Sequence, residues 1–454
     1  MTASDISVPP VQRFDLVLLG ANALTAEPAC PLIRNAFIGV RGGRIAWLDA
    51  EPPQRWEARR TLPLRDHFVT PGFVNVHTHS VLCMVRGVAA DLGFAPSYTP
   101  GIPKGTALTP EQARALARLG ALEALLFGST MIGDHFVHAD VTTEAMADLG
   151  LRLAPSWRLH DVDFAKVAHG DWHYDPAIGE ATLRAAMDLY DRWQGHSRVR
   201  VNLAAHAVDT CSEGFLREVA ELSGRLGLRV NMHVGQSRLE VERVKARTGR
   251  SSTQALADVG LLNDRLLGGH CIYMSESDAR SFAAAGAHAV HIPKCNAVSG
   301  RLAPTPMLVR AGVNVALATD TQDADMVELM RWALATARVQ EGGVSLSWQP
   351  ETVFQMATLN GARALGMDDE IGSLAVGKAA DIVVFDARRP HLRPHVDPLG
   401  VLVHTAQGRD VRMVFVAGEA LVEEGMPTRV DLYTVCEEAE AAARELWTDC
   451  GRPY

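Results

Sequence analysis

Apolar residues are laid out in two distinct ways along this chain. From residue 14 to 70, short apolar stretches alternate with polar residues and stop at glycines, as in "FDLVLLGANAL", "NAFIGVRGGRIAWLDA" and "HFVTPG". That period of two, broken by turns, predicts antiparallel strands. The same texture returns near the C-terminus in "GKAADIVVFDA" and "VRMVFVAGEALVEEG". The middle of the chain is different. Strand-like runs there are "FVNVHTH" (73–79), "STMIGDH" (129–135), "LRLAPSW" (151–157) and "VRVNLAAHAV" (199–208). Four more follow: "LRVNMHVGQ" (228–236), "RLLGGHC" (265–271), "HAVHIP" (288–293) and "VNVALATD" (313–320). These are nearly continuous apolar runs, the pattern of strands buried on both faces. Helical patterns separate most of them. Thr109, Pro110 and Gln112 open one helix with a capping box, and Gly128 closes it.

Strands joined by helical crossovers predict an α/β fold, a (β/α)8 TIM-like barrel. A doubly wound open sheet would carry a glycine-rich phosphate turn after its first strand, and this chain has none there. The strand-rich ends then make one small β-sandwich domain from both chain termini. The expected division is a flexible N-terminal tail (1–13), the first part of the β domain (14–70), the barrel (71–370), the second part of the β domain (371–430) and a C-terminal helix and tail (431–454).

Composition narrows the function classes. With 454 residues, 47% of them hydrophobic and 21% charged, the chain has ample material for a core. A formal charge of −9, without a lysine or arginine run, argues against a nucleic-acid partner. No apolar stretch approaches the roughly 18 residues of a membrane span. The start "MTASDISVPPVQR" lacks the basic and apolar regions of a signal peptide. Seven scattered cysteines without a C-x-x-C pair fit a reducing compartment, so the expected location is cytoplasmic. Barrels of this kind commonly pair through outer helices, which makes a homo-oligomer the prior expectation.

In such a barrel the carboxyl ends of the strands converge on one mouth. Here they carry His77 and His79, then Asp134 and His135, then His206, His233, His270, His291 and Asp320. His77 and His79 lie two apart, so on a strand they face the same way and read as a metal-ligand pair. The bland alternative is two histidines that happen to fall together, and each further polar strand end weakens it. Asp134, His135 and His291 either orient neighbouring groups or merely buttress them.

The stretches "PGFVNVHTHS", "AAHAVDTCS", "MHVGQSRLEVE", "GGHCIYMSESD", "HIPKCNAVSGRLAP" and "LATD" occur in an order that resembles the amidohydrolase superfamily. The most similar branch holds adenosine-type, guanine and triazine deaminases and related chlorohydrolases. "IGSLAVGKAADIVVFD" is similar to that family's returning β segment, and the likeness runs from about residue 14 to 425. The resemblance implies one divalent metal ion bound by His77, His79, His233 and Asp320. Asp320 would also take a proton from the attacking water, and His270 would orient that water. Substrate contacts would fall to His206, Gln236, Lys294 and Asn296. Zinc is the default metal, with iron, cobalt and manganese left open. The fourth strand offers His206 and no lysine to bridge two metals, which favours one ion.

Gln236 departs from the pattern, because family deaminases place a glutamate there as a proton donor to the substrate ring. An amide side chain cannot exchange a proton at neutral pH. That points to an amide, urea or carbamate-like small-molecule substrate, with a xenobiotic in view because of similarity to phenylurea and thiocarbamate hydrolases. The alternative is a hydrolytic deaminase or dechlorinase of a purine-, pyrimidine- or triazine-like ring. Lys294 either contacts the substrate or pairs with Asp323 or Asp325. The stretch 91–110, with Phe94, Tyr98 and Lys104, reads as a loop over the mouth, and Trp157, Trp172 and Tyr174 would give it partly apolar company.

Overall fold

Two sheets organise the chain, which a computed structural model describes over residues 10–29, 31–92, 99, 101–167, 170–321 and 323–451. The first segment supplies β1 (Gln12–Leu24), β2 (Leu32–Arg41), β3 (Arg44–Asp49), β4 (Trp56–Pro63) and β5 (His67–Pro71). The barrel follows with β6 (Phe73–Thr78), β7 (Ser129–Phe136), β8 (Arg152–Leu153), β9 (Ser156–Leu159) and β10 (Leu203–Ala207). It continues through β11 (Val230–Val234), β12 (Leu266–His270), β13 (His288–His291) and β14 (Asn314–Leu317). The chain then returns to the small domain with β15 (Ile382–Asp386), β16 (Val411–Val416), β17 (Glu419–Glu423) and β18 (Met426–Pro427).

The barrel strands pair in the order β14-β13-β12-β11-β10-β9-β7-β6, with β8 beside β7. A parallel bridge between Thr78 and Asp320 links β6 to the end of β14. Its hydrogen bonds run from His79 N–H to Asp320 O (2.9 Å) and from Asp320 N–H to His77 O (3.1 Å). The residues that close the ring are therefore the polar strand ends themselves. The run "LRLAPSW" splits into β8 and β9 because Pro155 has no N–H to give the ladder. The strand resumes at Ser156 and carries on to Leu159, two residues beyond the predicted end.

In the small domain the sheet order is β18-β17-β16-β15-β5-β1-β2-β3, with β4 parallel to β1. β15 joins β5 antiparallel, from Ile382 opposite Pro71 to Asp386 opposite His67. Alternate residues of early and late strands, among them Leu16, Leu18, Val69, Ile382, Val384 and Phe415, close on one core of their own. This is the β-sandwich built from both ends of the sequence.

Arg152 of β8 links the two units. Its guanidinium lies 2.7 Å from Asp381 and 2.9 Å from Glu370, and Arg152 and Asp381 are both buried. The C-terminal helix Leu432–Asp449 buries one face on the barrel, where the Trp447 indole N–H donates to Met84 O (2.8 Å). Among the described residues no helix is long and apolar enough to cross a membrane.

Candidate active site

His77 leaves β6 with its ring buried in the barrel mouth, and His79 follows it just past the strand end. His233 sits in β11 and closes the group; one ligand atom from each of the three histidines lies within 4.8 Å of the others. Each ring is locked at Nδ1. His77 Nδ1–H donates to Asn231 Oδ1 (2.8 Å), His79 to His135 O (2.6 Å) and His233 to His206 O (2.7 Å). Those acceptors have no proton to give, so each Nε2 is left with its lone pair facing the common centre. His77 Nε2 is buried and has no hydrogen-bond partner among the described residues.

Charge follows the same logic. Burial, helped by neighbouring imidazoles, holds His77 and His79 well below the usual histidine range and brings His233 down to about 4. All three are neutral at physiological pH, the form that binds a metal. Asp320 completes the cluster: its Oδ1 is 3.3 Å from His79 Nε2 and 3.8 Å from His77 Nε2. Its Oδ2 faces His270 Nε2 at 3.9 Å and accepts the Cys295 thiol at 3.4 Å. Burial raises Asp320 to about 7. An orphaned ring nitrogen, three neutral imidazoles and one carboxylate fit a divalent cation.

His270 is set by its Nδ1–H donating to Asn296 Oδ1 (3.0 Å), which turns Nε2 toward Asp320. His270 and Asp320 both hold left-handed backbone, at φ 68° and φ 66°. Non-glycine residues reach that region at a cost of about 1–3 kcal/mol, and such strain gathers where a side chain must be aimed.

The remaining sequence candidates fall into place individually. His206 is buried beside His233 and pairs with the Thr210 hydroxyl (2.8 Å). Gln236 is buried one turn past β11, its N–H on Glu240 (2.8 Å). His135 is buried against His77, and neither of its ring nitrogens makes a well-formed hydrogen bond among the described residues. Asp134 accepts Ser80 N–H (2.7 Å) and the Thr78 hydroxyl (3.1 Å), bracing the chain on either side of His79. His291 pairs with the Thr305 hydroxyl (3.2 Å) and stands apart from the cluster. Lys294 is held in two ion pairs, with Asp323 (2.9 Å) and Glu328 (2.8 Å). Asp325 is not its partner; that carboxylate caps the helix Met326–Glu341. Phe94 and Tyr98 lie outside the described residues, and Lys104 turns to Thr99 O.

Sequence reasoning passed over Arg158. This guanidinium is buried in β9, stacked over Phe136 (5.1 Å) and Phe164 (4.6 Å). Those rings in turn touch His79 and His206, and the Arg158 charge helps keep both histidines neutral. It gives the mouth a fixed positive charge. A lone arginine in "PSWRLHD" gave no local sign of this. Asn231 is the other omission. Replacing it with leucine is expected to lower metal affinity about 10- to 100-fold, read by competition with a chelator, because the His77 ring would lose its anchor.

Comparison with known proteins gives the family. A model of the amidohydrolase family matches residues 68–421. The chain belongs to that family. This amidohydrolase is 31% identical to the 5'-deoxyadenosine deaminase of Methanosarcina acetivorans, over 95% of this chain and 98% of the relative. It is also 31% identical to a 5-methylthioadenosine/S-adenosylhomocysteine deaminase of Syntrophobacter fumaroxidans, over 96% and 99% of the two chains. Among solved structures, an adenosine deaminase from Xanthomonas campestris with bound zinc superposes with a TM-score of 0.87 at 26% identity, covering 97% of this chain and 100% of its own. The zinc complex of atrazine chlorohydrolase from Arthrobacter aurescens gives 0.84 at 21% identity, over 94% and 100%, a likeness of fold. The protein is thus a hydrolase of carbon–nitrogen bonds other than peptide bonds.

Proposed function

We propose that this amidohydrolase is a zinc-dependent deaminase that replaces the amino group of an adenine-nucleoside-like substrate with oxygen from water. The carrying observation is the convergence of His77, His79, His233, Asp320 and His270 in a chain aligned almost end to end with adenosine-type deaminases. These relatives support the heterocycle reading over the amide, urea or carbamate reading, which rested chiefly on Gln236.

His77, His79, His233 and Asp320 would hold the ion, which supplies Lewis-acid activation of water at neutral pH. The chain's own groups do the rest. His270, its Nδ1–H fixed on Asn296, offers Nε2 to the attacking water and sets its approach. Asp320 takes the proton that the water loses and returns it to the departing amine. The new C–O bond forms as the C–N bond breaks, and ammonia leaves. Gln236 donates an amide N–H to the ring nitrogen where negative charge gathers; it gives a hydrogen bond where an acid would give a proton. His206 and Asn296 border the same space. Arg158, between two aromatic rings, suits a polar or anionic portion of the substrate beyond the ring.

The test is a side-by-side assay of zinc-replete protein on 5'-deoxyadenosine, 5'-methylthioadenosine, a phenylurea and an N-acylaniline. Ammonia released from the nucleosides, lost on chelation and restored by zinc, is the expected result. Aniline release alone, with the nucleosides untouched, would overturn the reading.

A further inference from the structure

Glu240 belongs to the first turn of the helix Arg238–Thr248, in the segment "SRLEVERVKARTG", whose charged residues describe a surface helix. Yet Glu240 is buried, with both oxygens occupied. Oε1 accepts Gly235 N–H (2.8 Å) and the Ser252 hydroxyl (2.9 Å), and Oε2 accepts Gln236 N–H (2.8 Å). The side chain thus reaches back from its helix onto the turn that leaves β11, two residues beyond His233. Gly235 takes left-handed backbone there, at φ 59°, and closes a second bond as acceptor of Tyr273 N–H (3.0 Å). These two N–H groups stand before the N-cap Ser237, where no helical carbonyl takes them, and a buried backbone donor without a partner is costly. Here the cap at Ser237 is already in use on Glu240 N–H (3.0 Å), and a carboxylate has been added for the two amides before it.

We propose that Glu240 is a positioning residue that clamps Gly235 and Gln236 and so fixes the backbone from which the Gln236 side chain meets the substrate. A buried carboxylate is an expensive choice for a purely structural bond, since its desolvation is compensated only by donors arranged around it. Burial and the nearby Asp209 carboxyl push Glu240 up, while the Gly235, Gln236 and Ser252 donors on its oxygens pull it down and favour the carboxylate. Asp209 itself, at the end of β10, is raised to about 6 by burial, against the lowering charges of Arg243 and Arg247. Cys271 past β12 also lies in the field of Glu240, and Trp172 and Tyr174 flank Asp209 from the opposite loop. The carboxyl pair is buried, while Arg243 beside it is half-buried and Arg247 is exposed. The clamp acts through Gln236 and touches no reacting atom.

The proposal rests on the deaminase reading only for its kinetic arm, so the first measurement is independent of substrate. Hydrogen exchange at the Gly235 and Gln236 amides is compared in wild type, Glu240→Gln and Ser252→Ala. A carboxamide cannot accept from both sides, so Glu240→Gln should speed exchange at these amides about 10-fold or more, the equivalent of losing one hydrogen bond to a charged acceptor. Ser252→Ala, the milder change, should speed it by a few-fold, and it serves alone if Glu240→Gln does not fold. Unaltered protection in the folded variants would overturn the clamp. In the kinetic arm, Glu240→Gln should lower kcat about 10-fold in the wild-type background and cause no further loss in Gln236→Ala, because the two residues act as one unit. Equal losses in both backgrounds would show that Glu240 does not work through Gln236. Should wild type turn over no aminopurine, the deaminase reading fails while the exchange data still decide the clamp.

Discussion

Replacing Asp320 with asparagine is expected to lower kcat about 1,000-fold, the scale of losing a general acid–base group, while the barrel stays folded. The substitution isolates the proton from everything else Asp320 does. Its main-chain N–H and C=O close the ring against His77 and His79, and no side-chain change removes them. Asparagine also tolerates the left-handed backbone at φ 66° better than alanine would, so strain is kept low. The asparagine Oδ1 still has a lone pair for a cation but cannot carry a proton between water and amine. Turnover and elemental analysis on the same preparation check this. Near-normal turnover at full metal content would remove Asp320 from the proton path.

The second large effect runs the other way. Gln236→Glu is expected to raise kcat/KM for an aminopurine about 100-fold, with metal content unchanged, because the ring nitrogen would then receive a proton. The position is buried, and burial already lifts Asp320 to about 7. A carboxyl there would keep its proton near neutral pH and could give it up as ring charge develops. A loss of activity, or no change, would place the Gln236 side chain away from the ring.

Much of this molecule is written in its local pattern. Barrel strands are buried on both faces, so each shows as an apolar run, and a two-residue histidine spacing at the end of one of them aims both rings inward. The structure brings His77 and His79 to one point with His233. What local pattern could not show is polar chemistry created by tertiary packing. Asn231 sits in mid-strand, Arg158 is an isolated charge between apolar neighbours, and Glu240 belongs to a helix that is otherwise surface-like. Each is buried because a partner on another element receives it: the His77 ring, the Phe136 and Phe164 rings, or Ser252 on the following helix. The break at Pro155 shifted the third strand for a simpler reason, a missing N–H. Gln236 drew the sequence reading toward amides, ureas and carbamates, while the relatives favour the heterocycle alternative.

The small domain's strand order carries a consequence for the chain as it is made. β5 borders β1 on one side and β15 on the other, so the first segment's strands leave the ribosome with an open edge that only the last part of the sequence can cover. Until that late hairpin emerges, Phe68 and Val69 present a sticky ribbon through the whole synthesis of the barrel. Nascent chains stalled before Ile382 should therefore clump or recruit chaperones, whereas those released after β17 should not.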